Sequence, residues 1–218
     1  MKKVLVLFLV LISGIYLTSC SPDIDDELVY APSDFYYPGT LSIPFYTNGS
    51  TGFPNINWGN ETGTFTLNQT YQGVSINAQN GVISWNEDLP LGENLLTVTA
   101  TNSAGSAETM VLFLHKFSGV FNGGYNSDPN STVIPSANLI LNFDENGTLT
   151  VTDSSEIATG NWDFNMQGDL ICTYELAGVN NQLYYDLTYS VAINPVLVGY
   201  KKVVGSSVNS GYSRMEYE

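Results

Sequence analysis

The chain has 218 residues, with 21 Asp and Glu against six Lys and Arg, one His and a formal charge of -15. A field of that sign repels phosphate backbones and anionic lipid headgroups, which excludes nucleic acid as a partner and a basic patch as a membrane anchor. Charged residues are only 12%, and abundant Asn, Thr, Ser, Gly and Tyr with no long 3.6-residue period predict an all-β extracytoplasmic protein.

Lys2 and Lys3 precede an apolar run from Val4 to Ile12, and small residues lead into Leu17-Thr18-Ser19-Cys20. A charged start, an apolar middle and a small-residue end make the layout of a secretory signal. Ser13, Gly14, Thr18 and Ser19 interrupt it before the roughly 20 apolar residues that a membrane span needs. The motif ending in cysteine resembles the lipobox of bacterial lipoproteins. That resemblance implies a signal peptide over 1–19, cleavage before Cys20, and acylation of the Cys20 thiol and new amine. Several acyl chains on one residue suffice for a stable anchor, so outer-membrane lipid is the implied partner. Removal of 1–19 takes two bases, leaving 21 acids against Lys116, Lys201, Lys202 and Arg214, a charge of -17.

Residues 20–29 then form a tether. Asp23, Asp25, Asp26 and Glu27 place four acids in five positions, too many to pack, and the segment stays solvated. It resembles the acidic export tags that follow the cysteine in surface lipoproteins, which implies exposure on the cell surface; a spacer on the periplasmic leaflet is the alternative. With Cys20 lipidated, Cys172 has no cysteine left for an intramolecular disulfide, and Ile171 and Tyr174 beside it predict a buried strand position.

Residues 30–117 read as about seven short strands. Tyr30 to Tyr37, Leu41 to Tyr46, Gly63 to Leu67, Val74 to Ile76, Val82 to Trp85, Leu95 to Thr101 and Thr109 to Leu114 alternate or run apolar between turn signals. Asn80-Gly81 between two of them predicts a type I′ hairpin, in which both central residues take positive φ. The stretch from Gly73 to Leu114, GVSINAQNGVISWNEDLPLGENLLTVTATNSAGSAETMVLFL, resembles the bacterial cadherin-like, putative-Ig repeat. The resemblance implies a two-sheet antiparallel sandwich of immunoglobulin type. No cysteine pair pins the sheets, so the core rests on apolar alternation with Trp58 or Trp85 inside. The Asp-x-Asn-Asp and Asp-x-Asp calcium motifs of cadherins are missing from 30–117, and calcium is not carried over.

Residues 118–218 stay β but change texture. Leu139-Leu141-Phe143, Leu149-Val151 and Leu183-Tyr185-Leu187-Tyr189-Val191 alternate, and about eight strands with tight turns suit an antiparallel up-and-down barrel. The order Phe-x-Gly-x-Tyr, Asn-Gly-Thr and Gly-x-Trp resembles lipocalin-like barrels of secreted bacterial lipoproteins. Here Gly160-Asn161-Trp162 falls in mid-domain rather than on the first strand, so an interior cavity and a filled interior both stay open. Asp144-Glu145-Asn146-Gly147 reads as a hairpin turn, since an EF-hand loop needs a Glu at its twelfth position and Ser155 stands there.

Catalytic signatures are missing. No phosphate-cradling glycine loop, Ser-His-Asp order or Cys-His pair is visible, and His115 is the only histidine. Neither catalytic residues, a metal site nor a cofactor is expected, and the chain is read as no enzyme. What remains is binding or adhesion at the cell envelope, toward a glycan or a surface protein, because sugar rings stack on exposed aromatic faces. Tyr36, Tyr37, Trp58, Trp85, Tyr184 and Tyr185 are the candidate contacts, with Trp162 a further aromatic. Tyr36-Tyr37 and Tyr184-Tyr185 are adjacent on strands, so one ring of each pair faces outward. The alternatives are a barrel holding a small hydrophobic ligand and a structural spacer in an envelope complex.

Overall fold

The computed structural model describes residues 27–128, 130, 131, 133, 138–188 and 195–218. The expected signal peptide, Cys20 and most of the expected acidic tether lie outside the described residues, in which every regular element is a β-strand.

The N-terminal half holds β1 (Ser33–Tyr36), β2 (Leu41–Ile43), β3 (Gly49–Ser50), β4 (Asn55–Asn57), β5 (Thr64–Leu67), β6 (Val74–Ile76), β7 (Ile83–Trp85), β8 (Gly92–Asn102) and β9 (Gly105–His115). One sheet runs β2-β9-β8-β5 and a second β3-β7-β6, with β1-β4 as a short ribbon. β2 joins β9 in parallel, and the other pairs are antiparallel. Immunoglobulin sandwiches place strands C, F and G in one sheet and B, E and D in the other; β5-β8-β9 and β3-β7-β6 follow that division. The long β8–β9 hairpin is the spine. Leu96, Val98 and Ala100 on β8 and Val111 and Phe113 on β9 are buried on one face, as a period of two requires. Asn102 closes its turn: Oδ1 accepts from the backbone N–H of Ala104 and Gly105, and Nδ2 reaches Tyr30 O at 2.7 Å and Trp58 O at 2.9 Å. One amide thereby ties three loops together.

The expected β6–β7 hairpin forms, but its turn is not type I′. Gly81 has φ +72° while Asn80 does not take positive φ. Asn77 is the cause. Its Oδ1 accepts from the N–H of Gln79 and Asn80, and its carbonyl accepts from Gly81 N–H, winding the chain through a longer loop. A Cβ on Gly81 would meet Pro54 at 2.7 Å and Phe65 at 3.0 Å, so both space and backbone conformation require glycine.

The C-terminal half holds β10 (Gly119–Asn126), β11 (Leu139–Phe143), β12 (Thr148–Asp153), β13 (Glu156–Phe164), β14 (Leu170–Leu176), β15 (Val179–Thr188), β16 (Val196–Val203) and β17 (Gly211–Tyr217). These pair in sequence order, and β17 returns to β10 to close an antiparallel barrel. The interior is filled. Phe121, Leu141, Leu149, Leu183, Leu197 and Met215 sit in one continuous cluster with Cys172, all fully buried. An eight-strand barrel is just wide enough for such side chains to meet across it, which removes the room that a small hydrophobic ligand would need. Burial also pushes the Cys172 thiol far above its ordinary pKa, so it behaves as a packing group.

At the end remote from the sandwich the barrel core turns polar. Lys201 Nζ lies 3.5 Å from Asp153 Oδ2 and 3.8 Å above the Tyr125 ring, and the Tyr125 hydroxyl donates to Asp153. Tyr185 and Ser213 exchange a 2.8 Å hydrogen bond, and Ser213 Oγ donates to Gly124 O. The opposite end is closed by the sandwich. The β2 strand stops at Ile43, earlier than the expected run to Tyr46, and the chain turns so that Phe45 enters the barrel's cluster with Tyr46 against it. Phe45 meets Phe117 at 4.8 Å and Tyr217 at 5.3 Å. Tyr46 has φ +53°, unusual for a bulky residue, and the ring packing it permits offsets the strain.

Candidate functional site

Sandwich and barrel together line an open cleft of about 860 Å³. The sandwich contributes the loop from Glu87 to Gly92 together with Gln72, and the junction contributes His115, Lys116 and Phe117. The barrel contributes Glu145 from the β11–β12 turn and the β13–β14 hairpin from Trp162 to Asp169.

An aromatic group, with Phe117 buried, belongs to its lining. Trp162 is 5.2 Å from Phe117 and 5.8 Å from Phe164, and Phe117 and Phe164 are 5.7 Å apart, all edge to face. Edge-to-face packing fixes ring orientation. Trp162 is fixed further, because its Nε1 donates to Asp144 O at 2.9 Å and its backbone N–H to Gly147 O at 2.8 Å. The expected Asp144–Gly147 hairpin turn is therefore the support of Trp162. Asp144 Oδ1 accepts from Asn146 N–H, and Gly147 takes φ +89°. Trp162 and Phe164 remain half-buried, so part of each ring reaches the cleft.

The polar walls are rich in acceptors. Glu87, Asp88, Glu145, Asp163 and Asp169 all line the cleft. Lys116 Nζ is held at 3.0 Å by Glu145, an exposed pair worth little in stability that nonetheless occupies the cation. The Tyr184 hydroxyl and then Asn165 Nδ2 donate to Asp169, which holds its carboxyl below the usual carboxylate range. His115 is 2% exposed. Its Nδ1 lies 2.8 Å from Leu89 O and 3.2 Å from Pro90 O; two carbonyl oxygens can only accept, so Nδ1 carries the proton. Nε2 is then an acceptor, buried and without a partner among the described residues. Burial pulls the His115 pKa below its ordinary value, while the two carbonyl contacts act in the opposite sense.

The residues expected to contact ligand are scattered. Tyr37 is buried, its hydroxyl donating to Gly81 O at 2.5 Å, and Tyr185 is fully buried in the barrel. Those two rings are sealed in, because each is the inward member of its adjacent pair. Trp58 packs edge-on against Phe65 at 5.0 Å and Trp85 against Phe113 at 5.4 Å, so both serve the sandwich core. Tyr36, at 52% exposure, is outward but does not line the cleft. Tyr184 belongs to the site indirectly, through Asp169. Phe117, Phe164 and the acidic wall were not expected as contacts. The available signal was an aromatic set next to turn residues at the module junction.

No protein-family model and no curated protein matches the chain. Among solved structures, human protocadherin-24 EC1-2 aligns with a TM-score of 0.38 and 9% identity, over 85% of this chain and 97% of that one. A chimeric titin Z1Z2 carrying an exogenous KLER peptide from decorin aligns with a TM-score of 0.32 and 11% identity, over 85% and 95%. Likeness of that degree carries no statement about function, and the architecture stands on the strand pairing above.

Proposed function

We propose that the chain is a non-catalytic lipoprotein of the outer membrane, exposed at the cell surface, that binds a glycan in the cleft between sandwich and barrel. The observation that supports this most is the Trp162–Phe117–Phe164 group. Trp162 and Phe164, held edge to face by the buried Phe117, present partly exposed rings inside a concavity whose rim is made of carboxylates and amides. Sugar rings present a C–H face that stacks on such rings and an equatorial belt of hydroxyls that such a rim can bind. The filled barrel interior turns the reading away from a small ligand held inside.

The lipobox-like Leu17–Cys20 stretch and the acidic residues after it support the anchored, surface-exposed part of the proposal. Protein labelled in cells with an alkyne fatty acid should carry the tag, and Cys20→Ala should lose both tag and membrane association; a tag retained by Cys20→Ala would contradict the anchor. An oligosaccharide array with the purified protein tests the binding half. Response to at least one glycan series is expected, and a broad panel without response would overturn it.

A further inference from the structure

We infer that the cleft selects a glycan bearing free amino groups, a hexosamine chain without its N-acetyl caps, over acidic sugars. The inference rests on the glycan reading above and adds the charge of the ligand. The reason is an imbalance between donors and acceptors. Trp162 Nε1 is committed to Asp144 O, and Lys116, the one lysine lining the cleft, is set against five lining carboxylates, with Glu145 at 3.0 Å from its Nζ. Acceptors remain. Glu87 has no partner among the described residues and Asp163 takes a single contact from its neighbour Phe164 N–H; behind these exposed carboxylates His115, which also lines the cleft, keeps its Nε2 buried and without a donor.

A wall of this kind has little to offer a carboxylate or sulfate and much to offer an ammonium group, which brings three donors and a positive charge. The aromatic floor acts in the same sense. A cation over the partly exposed Trp162 or Phe164 is attracted by the ring quadrupole, while an anion is repelled. The formal charge of -15 extends the preference beyond the cleft by raising the local concentration of cations.

The test is titration calorimetry of the full chain in neutral detergent with four tetrasaccharides: glucosamine, N-acetylglucosamine, glucose and galacturonate. Mildly acidic buffer keeps the sugar amine protonated, and two salt concentrations are compared. The glucosamine tetramer should bind about tenfold tighter than its acetylated counterpart, and galacturonate should not bind. The preference should shrink as salt rises and in the double variant Glu87→Gln, Asp163→Asn, whose exposed positions leave the fold intact. Equal or tighter binding of the acetylated chain, or binding of galacturonate, would overturn the inference while leaving the glycan reading standing. Binding of none of the four tetrasaccharides would overturn the inference, and an oligosaccharide array without response would overturn the glycan reading with it.

Discussion

Phe45, on the turn after β2 of the sandwich, closes one end of the barrel. It is 2% exposed, edge-on to Phe117 and Tyr217, and stacked with His115 at 6.2 Å. Truncation opens a cavity at the joint, so Phe45→Ala should cost about 3–5 kcal/mol by urea unfolding; a loss under about 1 kcal/mol would mean the ring is not a plug. His115 beneath it gives the joint a pH response. Its folded pKa lies below the unfolded value near 6.5, so the unfolded chain binds the extra proton. The stability involved is fully present above about 6.5 and falls as pH drops through that value toward the folded pKa. The slope is at most about 1.4 kcal/mol per pH unit. Urea midpoints between mildly alkaline and mildly acidic buffer should show this slope in the native protein and lose it in His115→Phe. The sequence shows His115 as the only histidine, but neither carbonyl that fixes its tautomer, because Leu89 and Pro90 lie 26 and 25 residues away.

The strands were the most legible part of the chain. Leu139-Leu141-Phe143 and Leu149-Val151 alternate cleanly because one face of every barrel strand is buried and the other wet, and the register follows from that pattern. Turns were less legible. Asn80-Gly81 carries the signature of a two-residue turn, yet Asn77, three positions earlier, captures the backbone and lengthens it. Some barrel glycines show how closely the strands meet. A Cβ on Gly199 would lie 1.8 Å from Tyr184 O, backbone that cannot yield without parting β15 from β16. Gly199→Ala should therefore lose more than about 3 kcal/mol. Gly178→Ala, at φ +76° with open space around it, should lose about 1–2 kcal/mol from backbone strain alone. Denaturant titration of both checks the ordering, and equal losses would contradict the packing argument.

The two halves share core residues, which bears on how the whole molecule unfolds. Phe45, Tyr46 and Leu91 from the sandwich side pack into the barrel cluster, a tighter joint than a flexible linker gives. Scanning calorimetry should show one transition in the native protein and two in Phe45→Ala; two in both would mean the halves are independent. The same docking explains why the candidate site was hidden in the sequence. Two-residue alternation places each ring within its own sheet, so Tyr37 and Tyr185 could be paired with an outward partner. No local pattern brings the Glu87–Gly92 loop against the Trp162–Asp169 hairpin. The most direct test of the cleft compares Trp162→Ala with Tyr36→Ala in titrations against the tightest-binding glycan. Loss of the stacking ring should weaken binding at least tenfold, about 1.4 kcal/mol, while Tyr36→Ala binds as the native protein does. Unchanged binding by a folded Trp162→Ala, with loss in Tyr36→Ala, would contradict the account.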